Sequence, residues 1–190
     1  MTRDLMFKDE IQQLVADAYQ QLEEPDGFGT AFYTEEQLER VPDAGRPWML
    51  GVGNPVAWAA LQPGERVVDL GCGSGADAVL AAQEVGASGQ VTGVDLLPEM
   101  VTRGRALSAD AGLDNVTFEQ AEIEDLPVGD ATFDVAISNG SINLCSRKSR
   151  VLAEAFRVLR PGGRLTVADL TIREEELPAE VITHPSAWAG

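Results

Sequence analysis

The sequence predicts an α/β fold, a doubly wound parallel sheet with helices on both faces. Three observations carry that expectation. Short apolar, β-branched runs recur along the chain, each followed by a stretch of helical spacing. The first of them, Val67-Val68-Asp69, leads through the glycine turn Gly71-Cys72-Gly73-Ser74-Gly75 into a helical segment, Ala76–Val85. The last, Arg164–Leu170, follows a helix stopped by Arg160-Pro161-Gly162-Gly163. Strands joined by crossover helices pair in parallel, and the right-handed crossover rule limits the topology.

Taken in order, Leu5–Leu22 carries Ile11, Leu14, Val15, Ala18, Tyr19 and Leu22 at helical spacing, giving one apolar face to pack on the domain as a lid or edge cover. Pro25, Gly27 and Gly29 break it. Thr34, with Gln37 three residues on, forms a capping box that starts a short helix ending near Arg40. The glycine-rich Trp48–Asn54 loop precedes Pro55, a first-turn proline for a helix over Val56–Leu61. Residues 1–64 therefore read as a helical cap of the same domain and residues 65–190 as its core. In the core, Ser74 is the expected N-cap of the Ala76–Val85 helix. Gln90–Asp95 is the second strand, Pro98 opens a helix to Ala111 with Gly112 as its cap, and Val116–Glu119 is the third strand. Phe133–Ser138 is the fourth. The helix after it has Val151, Leu152, Ala155, Phe156 and Leu159 as its apolar face.

A net charge of -17 makes nucleic acid a poor partner, because its phosphates would be repelled, and solubility accounts for most of the acidity. No apolar run is long enough for a membrane helix, and the N-terminus is charged too early for a secretory signal. The two cysteines, Cys72 and Cys145, make no disulfide framework and no zinc spacing, so a cytoplasmic protein without a metal is expected.

The chemistry-bearing residues gather around the glycine turn. Asp69 places a carboxylate where the turn meets a ligand, which suits an ammonium or sulfonium group and opposes a pyrophosphate. Asp95, ending the second strand, has the position of a ribose-binding acid. Gly71, Gly73 and Ala76 also satisfy the dinucleotide pattern, so a nicotinamide cofactor stays open on these residues alone. In the Ala121–Pro127 loop an acid can accept an adenine amino group while Ile123 packs on the ring; at least two of Glu122, Glu124 and Asp125 are expected to be solvated. Trp48, Trp58 and Trp188 are candidates to line an acceptor pocket, with core packing as the alternative. The sole histidine, His184, is a weak general-base candidate against a capping or packing role.

The pair DLGCGSG and LRPGGRL resembles class I S-adenosylmethionine (SAM)-dependent methyltransferases over Val67–Leu170, with their Rossmann-like core. More narrowly, Tyr33–Glu36, GVGNP at Gly51–Pro55, IEDLP at Ile123–Pro127, ISNGSINL at Ile137–Leu144 and the HPSAWAG tail resemble arsenite methyltransferases. The resemblance implies that Asp69, Gly71, Gly73 and Gly75 cradle the methionine portion of SAM and Asp95 holds its ribose. It also implies that Leu96 and Met100 border the ribose, that Glu122 and Ile123 face the adenine, and that Asn139 lies near the sulfonium. The chain departs from the family at its arsenic-binding cysteines. Val52 and Gly140 stand where two are expected, a third would follow Gly190, and Cys145 is shifted from the family position. A small acceptor other than arsenite is therefore the first reading. The alternatives are arsenical methylation through Cys145 with a thiol such as glutathione, and a SAM-binding protein without transferase activity. The family's usual last two strands have no room in Leu170–Gly190, a shortened C-terminal end: either the sequence is a piece of a longer chain or the fifth strand is left as an edge, and a homodimer through that edge or a swapped tail covering it is expected.

Overall fold

The computed structural model describes residues 2–20, 22 and 25–171. The segment before the sheet, for brevity the cap, contains α1 (Thr2–Gln20), the short α2 (Glu35–Glu39) and α3 (Pro55–Trp58). The core follows as β1 (Arg66–Leu70), α4 (Ala76–Val85), β2 (Gln90–Asp95), α5 (Pro98–Asp110), β3 (Val116–Gln120), β4 (Phe133–Asn139), α6 (Lys148–Val158) and β5 (Leu159–Ala168). All strand pairs are parallel, in the order β3-β2-β1-β4-β5. The order reverses beside β1, so the strand leading into the glycine turn stands at the point where an open sheet leaves a crevice.

The strands are apolar on both sides because both faces are covered. Val67, Val91, Val135 and Ile137 point to one side and pack with Val79 and Ala82 of α4 and Val101 and Leu107 of α5. Val68, Leu70, Val94 and Ala136 point to the other and pack with Val151, Ala155 and Val158 of α6. Arg164 fastens β5 to the turn before β1, pairing with both oxygens of Glu65 at 2.7 and 2.8 Å and donating to the Ala59 carbonyl at 2.6 Å.

Several local expectations are corrected. Gly75, not Ser74, caps α4, in a left-handed conformation; the Ser74 hydroxyl instead donates to the Trp48 carbonyl. The helix at Pro55 ends at Trp58, after which Ala60 takes a positive φ and turns the chain. β5 begins at Leu159 against Phe133, and pairing resumes only at Arg164 against Val135, so the Arg-Pro-Gly-Gly segment bulges out of the ladder. On α6, Leu152 and Phe156 face outward, 48% and 85% exposed, while Glu154 is buried. Its carboxylate takes the Leu126 backbone N–H at 2.9 Å and the Arg157 guanidinium at 2.7 and 2.9 Å, so the polar side of α6 clamps the 121–128 loop. Loop anchoring has displaced the simple apolar stripe. The Thr34–Gln37 capping box is present with both reciprocal bonds. His184, Trp188, the acidic 173–177 stretch and the residues needed to judge the C-terminal end lie outside the described residues.

Glu154→Ala should leave the Leu126 N–H without its partner and loosen Arg157. A loss of about 2 kcal/mol in chemical denaturation is expected, below the full cost of breaking a buried pair because Arg157 is partly exposed.

Candidate functional site

Register builds the site. Leu70 of β1 is level with Val94 of β2 and Ser138 of β4, so Asp95 and Asn139, one residue further on, stand on either side of the glycine turn. The turn is held by β2: the Gly71 and Cys72 N–H groups donate to the Val94 carbonyl, at 2.8 and 2.9 Å. Asp95 braces it from the side, its carboxylate oxygens taking the Gly73 and Leu97 N–H groups at 2.8 and 2.9 Å. Gly71, Gly73 and Gly75 all have positive φ. At Gly73 a Cβ would meet no protein atom and would point into open space, so its hydrogen leaves the backbone bare to a ligand.

Around this turn lies a cleft lined by Asp69, Gly71, Gly73, Asp95, Leu96, Met100, Glu122, Ile123, Asn139 and Cys145 from the core. The cap contributes Tyr33, Trp48, Met49 and Gly51, and α1 adds Gln12, Val15 and Tyr19. Of the residues singled out in the sequence, Gly75, Trp58, Asp125 and Val52 are not in this lining, and Trp188 lies with His184 beyond residue 171. Gly75 is turned into the packing against Phe118, and His184 is outside the described residues. Trp48 reaches the cleft, with Arg103 stacked 3.7 Å from its ring centre, whereas Trp58 is exposed.

Asp69 is buried, and its Oδ2 has no hydrogen-bond partner among the described residues. Burial raises its carboxyl well above the ordinary carboxylate range, and the nearby Asp77 and Asp95 raise it further. Burial likewise raises Asp77 and Asp95, opposed by the hydrogen bonds each accepts. Among the described residues lining the cleft there is no Lys, Arg or His. Glu122 is ion-paired with Lys8 of α1, and Glu124 is buried against the Arg147 backbone N–H at 2.9 Å and its guanidinium at 3.1 Å. Of the three acids in that loop only Asp125 is exposed, so the expectation of a mostly solvated turn is corrected. Among the described residues of the cleft, the acids without a cation beside them are thus Asp69, Asp77 and Asp95.

Asn139 joins cap to core. Its Oδ1 accepts from the Val52 and Gly53 N–H groups at 2.8 and 3.1 Å, and its Nδ2 lies 2.9 Å from both the Gly53 carbonyl and Asp77 Oδ2 and 3.1 Å from the Tyr33 hydroxyl. Tyr33 donates in turn to Asp77 Oδ1 at 2.5 Å. Tyr33 and Asp77 were not legible as site residues. An acid in the first turn of a helix reads as a partner for the helix dipole, and a tyrosine before a capping box reads as packing. Cys145 reaches the cleft with its thiol pushed up to about 12 by burial and by Glu124, so at neutral pH it is protonated and a weak nucleophile.

A methyltransferase-domain family matches residues 61–189. The chain is 44% identical to an arsenite methyltransferase of Halobacterium salinarum over 158 residues, 83% of this chain and 40% of that protein. It is 38% identical to a ubiquinone/menaquinone biosynthesis C-methyltransferase of Marinomonas over 66% of this chain and 51% of that one. Among solved structures, an arsenic(III) S-adenosylmethionine methyltransferase of Chlamydomonas reinhardtii superposes with a TM-score of 0.71 at 41% identity, covering 80% of this chain and 53% of that one. A SAM-dependent methyltransferase of Aquifex aeolicus matches with a TM-score of 0.60 at 25% identity, over 76% of this chain and 78% of that one. The chain spans less than half the length of the Halobacterium enzyme and about half that of the Chlamydomonas enzyme.

Asn139→Ala should cost about 2–3 kcal/mol by removing several partly buried hydrogen bonds, and should speed amide hydrogen exchange in the 48–54 loop. Because the folded protein holds Asp69 protonated where the unfolded chain has ionised it, this group favours folding below its ordinary pKa of about 4. That contribution is lost as pH rises through the raised value. Denaturation midpoints of the unliganded protein should fall more steeply with pH than those of Asp69→Asn.

Proposed function

The chain belongs to the methyltransferase-domain family, and from that membership we propose that it transfers a methyl group from S-adenosylmethionine to a small acceptor. The observation that carries this reading is the unpartnered, buried Asp69 carboxylate oxygen beside a bare glycine turn, in a cleft whose described lining has no cation. Such a floor suits a positively charged ligand and opposes the pyrophosphate of a dinucleotide.

The residues present fit SAM. Asp69 is placed to take its ammonium group, and the exposed backbone at Gly73 lets that portion approach closely. Asp95 keeps lone pairs free after bracing the turn and is assigned the ribose hydroxyls. Leu96, Met100 and Ile123 supply apolar walls, and Glu122 is assigned the adenine amino group, sharing its carboxylate with Lys8. Bound SAM supplies a methyl carbon already activated by positive sulfur. What remains for the protein is alignment and exclusion of water. Tyr33, Trp48 and Met49 from the cap, with Val15 and Tyr19 of α1, cover the cleft and serve that purpose, which supports reading residues 1–64 as a lid on the 65–190 core. Val52 and Gly140 at the positions of the arsenite enzymes' cysteines, and the protonated Cys145, favour an acceptor other than arsenite.

The same reading places the enzyme in the cytoplasm, acting on a small molecule rather than nucleic acid; no helix among the described residues is long and apolar enough to cross a membrane. It includes a homodimer through β5, an edge of the sheet among the described residues. Light scattering at micromolar protein reads that point, and a monomer counts against it.

Calorimetry should detect SAM and not NAD. Asp95→Ala should weaken SAM by about 1–3 kcal/mol through lost charge-assisted hydrogen bonds. Incubation with SAM and a panel of small phenols, amines and thiols should yield S-adenosylhomocysteine. Binding of NAD in place of SAM would overturn the assignment.

A further inference from the structure

We infer that Arg103 of α5 is a positioning residue for the wall of the cleft. Its guanidinium stacks on Trp48 and fixes that ring, and the loop that starts there, beside the glycine turn. The wall closes on the SAM site proposed above, so the inference rests on that reading and adds to it a residue outside the cleft.

The contact follows from how the 45–48 turn lies along α5. Gly45 rests on Leu107: a Cβ there would fall 2.6 and 2.8 Å from the two methyl carbons of that leucine. Three residues later, at the end of the short 3-10 turn Arg46–Trp48, the indole meets Arg103, one turn of α5 before Leu107. The guanidinium carbon stands 3.7 Å from the ring centre. Arg103 is exposed and Trp48 half-buried. A chain with a net charge of -17 offers an exposed arginine many carboxylates, yet the partner of this one among the described residues is the ring. An indole face attracts a guanidinium whose other face stays in water, so the ring is held without burying a charge. Trp48 lines the cleft and Arg103 does not, which puts the guanidinium on the side of the indole away from the ligand. The loop is thereby gripped at both ends. Asn139 holds the Val52 and Gly53 N–H groups, while at the other end the Trp48 carbonyl accepts from the Ser74 hydroxyl at 3.5 Å and the Trp48 side chain is held by Arg103. A ring released from Arg103 swings away in a fraction of the molecules, and apparent affinity falls with the fraction that keeps the cleft formed.

The sequence has three tryptophans, so Trp58→Phe with Trp188→Phe leaves Trp48 as the one fluorophore of its kind. In that background Arg103→Met, which keeps a long apolar stem without charge, and Arg103→Ala should each raise acrylamide quenching of Trp48 fluorescence by about two- to fivefold. The same two substitutions in the chain with all three tryptophans should weaken SAM in calorimetry by about the same factor. Arg103→Lys, which keeps the charge but not the planar stack, should recover part of both effects. Denaturation midpoints should stay at the wild-type value, because the Arg103 side chain is exposed. Unchanged quenching, or unchanged SAM affinity, in both the Met and the Ala variants would overturn the proposal and leave the methyltransferase reading standing. Weaker SAM binding with a matching fall in denaturation midpoint and no change in quenching would also overturn it, giving Arg103 a role in general stability. If the wild-type chain binds no SAM, the methyltransferase reading falls, and the proposal with it.

Discussion

Of the five carboxyl groups lining one cleft, Asp69, Asp77 and Asp95 have no cation beside them among the described residues, and much of the surrounding architecture answers that constraint. Charge removed from water must be met by hydrogen bonds or a counter-ion, or it becomes protonated. Asp95 is met by the backbone of the turn it braces, and Asp77 by Tyr33 and Asn139. Asp69 is left with one bare oxygen. The glycine turn, the cap and the tip of β4 are thus bound to one another through groups whose first duty is to make these acids tolerable.

The cap and the core are coupled through the same contacts. Asn139 continues the β4 strand yet spends its side chain on the 51–53 backbone and on Tyr33, so the position of the cap is read out directly at the carboxyl edge of the sheet. On the other side, α1 reaches the cleft with Gln12, Val15 and Tyr19 and is tied to the core by Lys8 and Glu122.

Much of the core was legible in the sequence because parallel strands and crossover helices leave strong local signals. The bounds of α4 and β2 match the apolar runs, and the Thr34–Gln37 box marks its helix start. The failures were tertiary. The α6 stripe was misread because Glu154 is buried by a loop that no periodicity records, and Leu152 and Phe156 face outward in exchange. Within the site, Asp69 and Asp95 stood out because each ends a strand beside a glycine turn. Asp77 and Tyr33 lie 44 residues apart in the chain, so no local pattern paired them, and Tyr33 stood out only as part of the family-like Tyr33–Glu36 segment.

One further consequence lies in the packing of Gly51. A Cβ built there would fall 2.2 to 2.6 Å from the Asn139 amide atoms, so the loop can lie flat on that side chain only while position 51 carries no substituent. The two positions are steric complements 88 residues apart in the chain. Across descendants of such a protein they should drift as a pair: a bulkier residue at 51 becomes tolerable only alongside a shortened one at 139, and the altered pair would re-aim the mouth of the cleft.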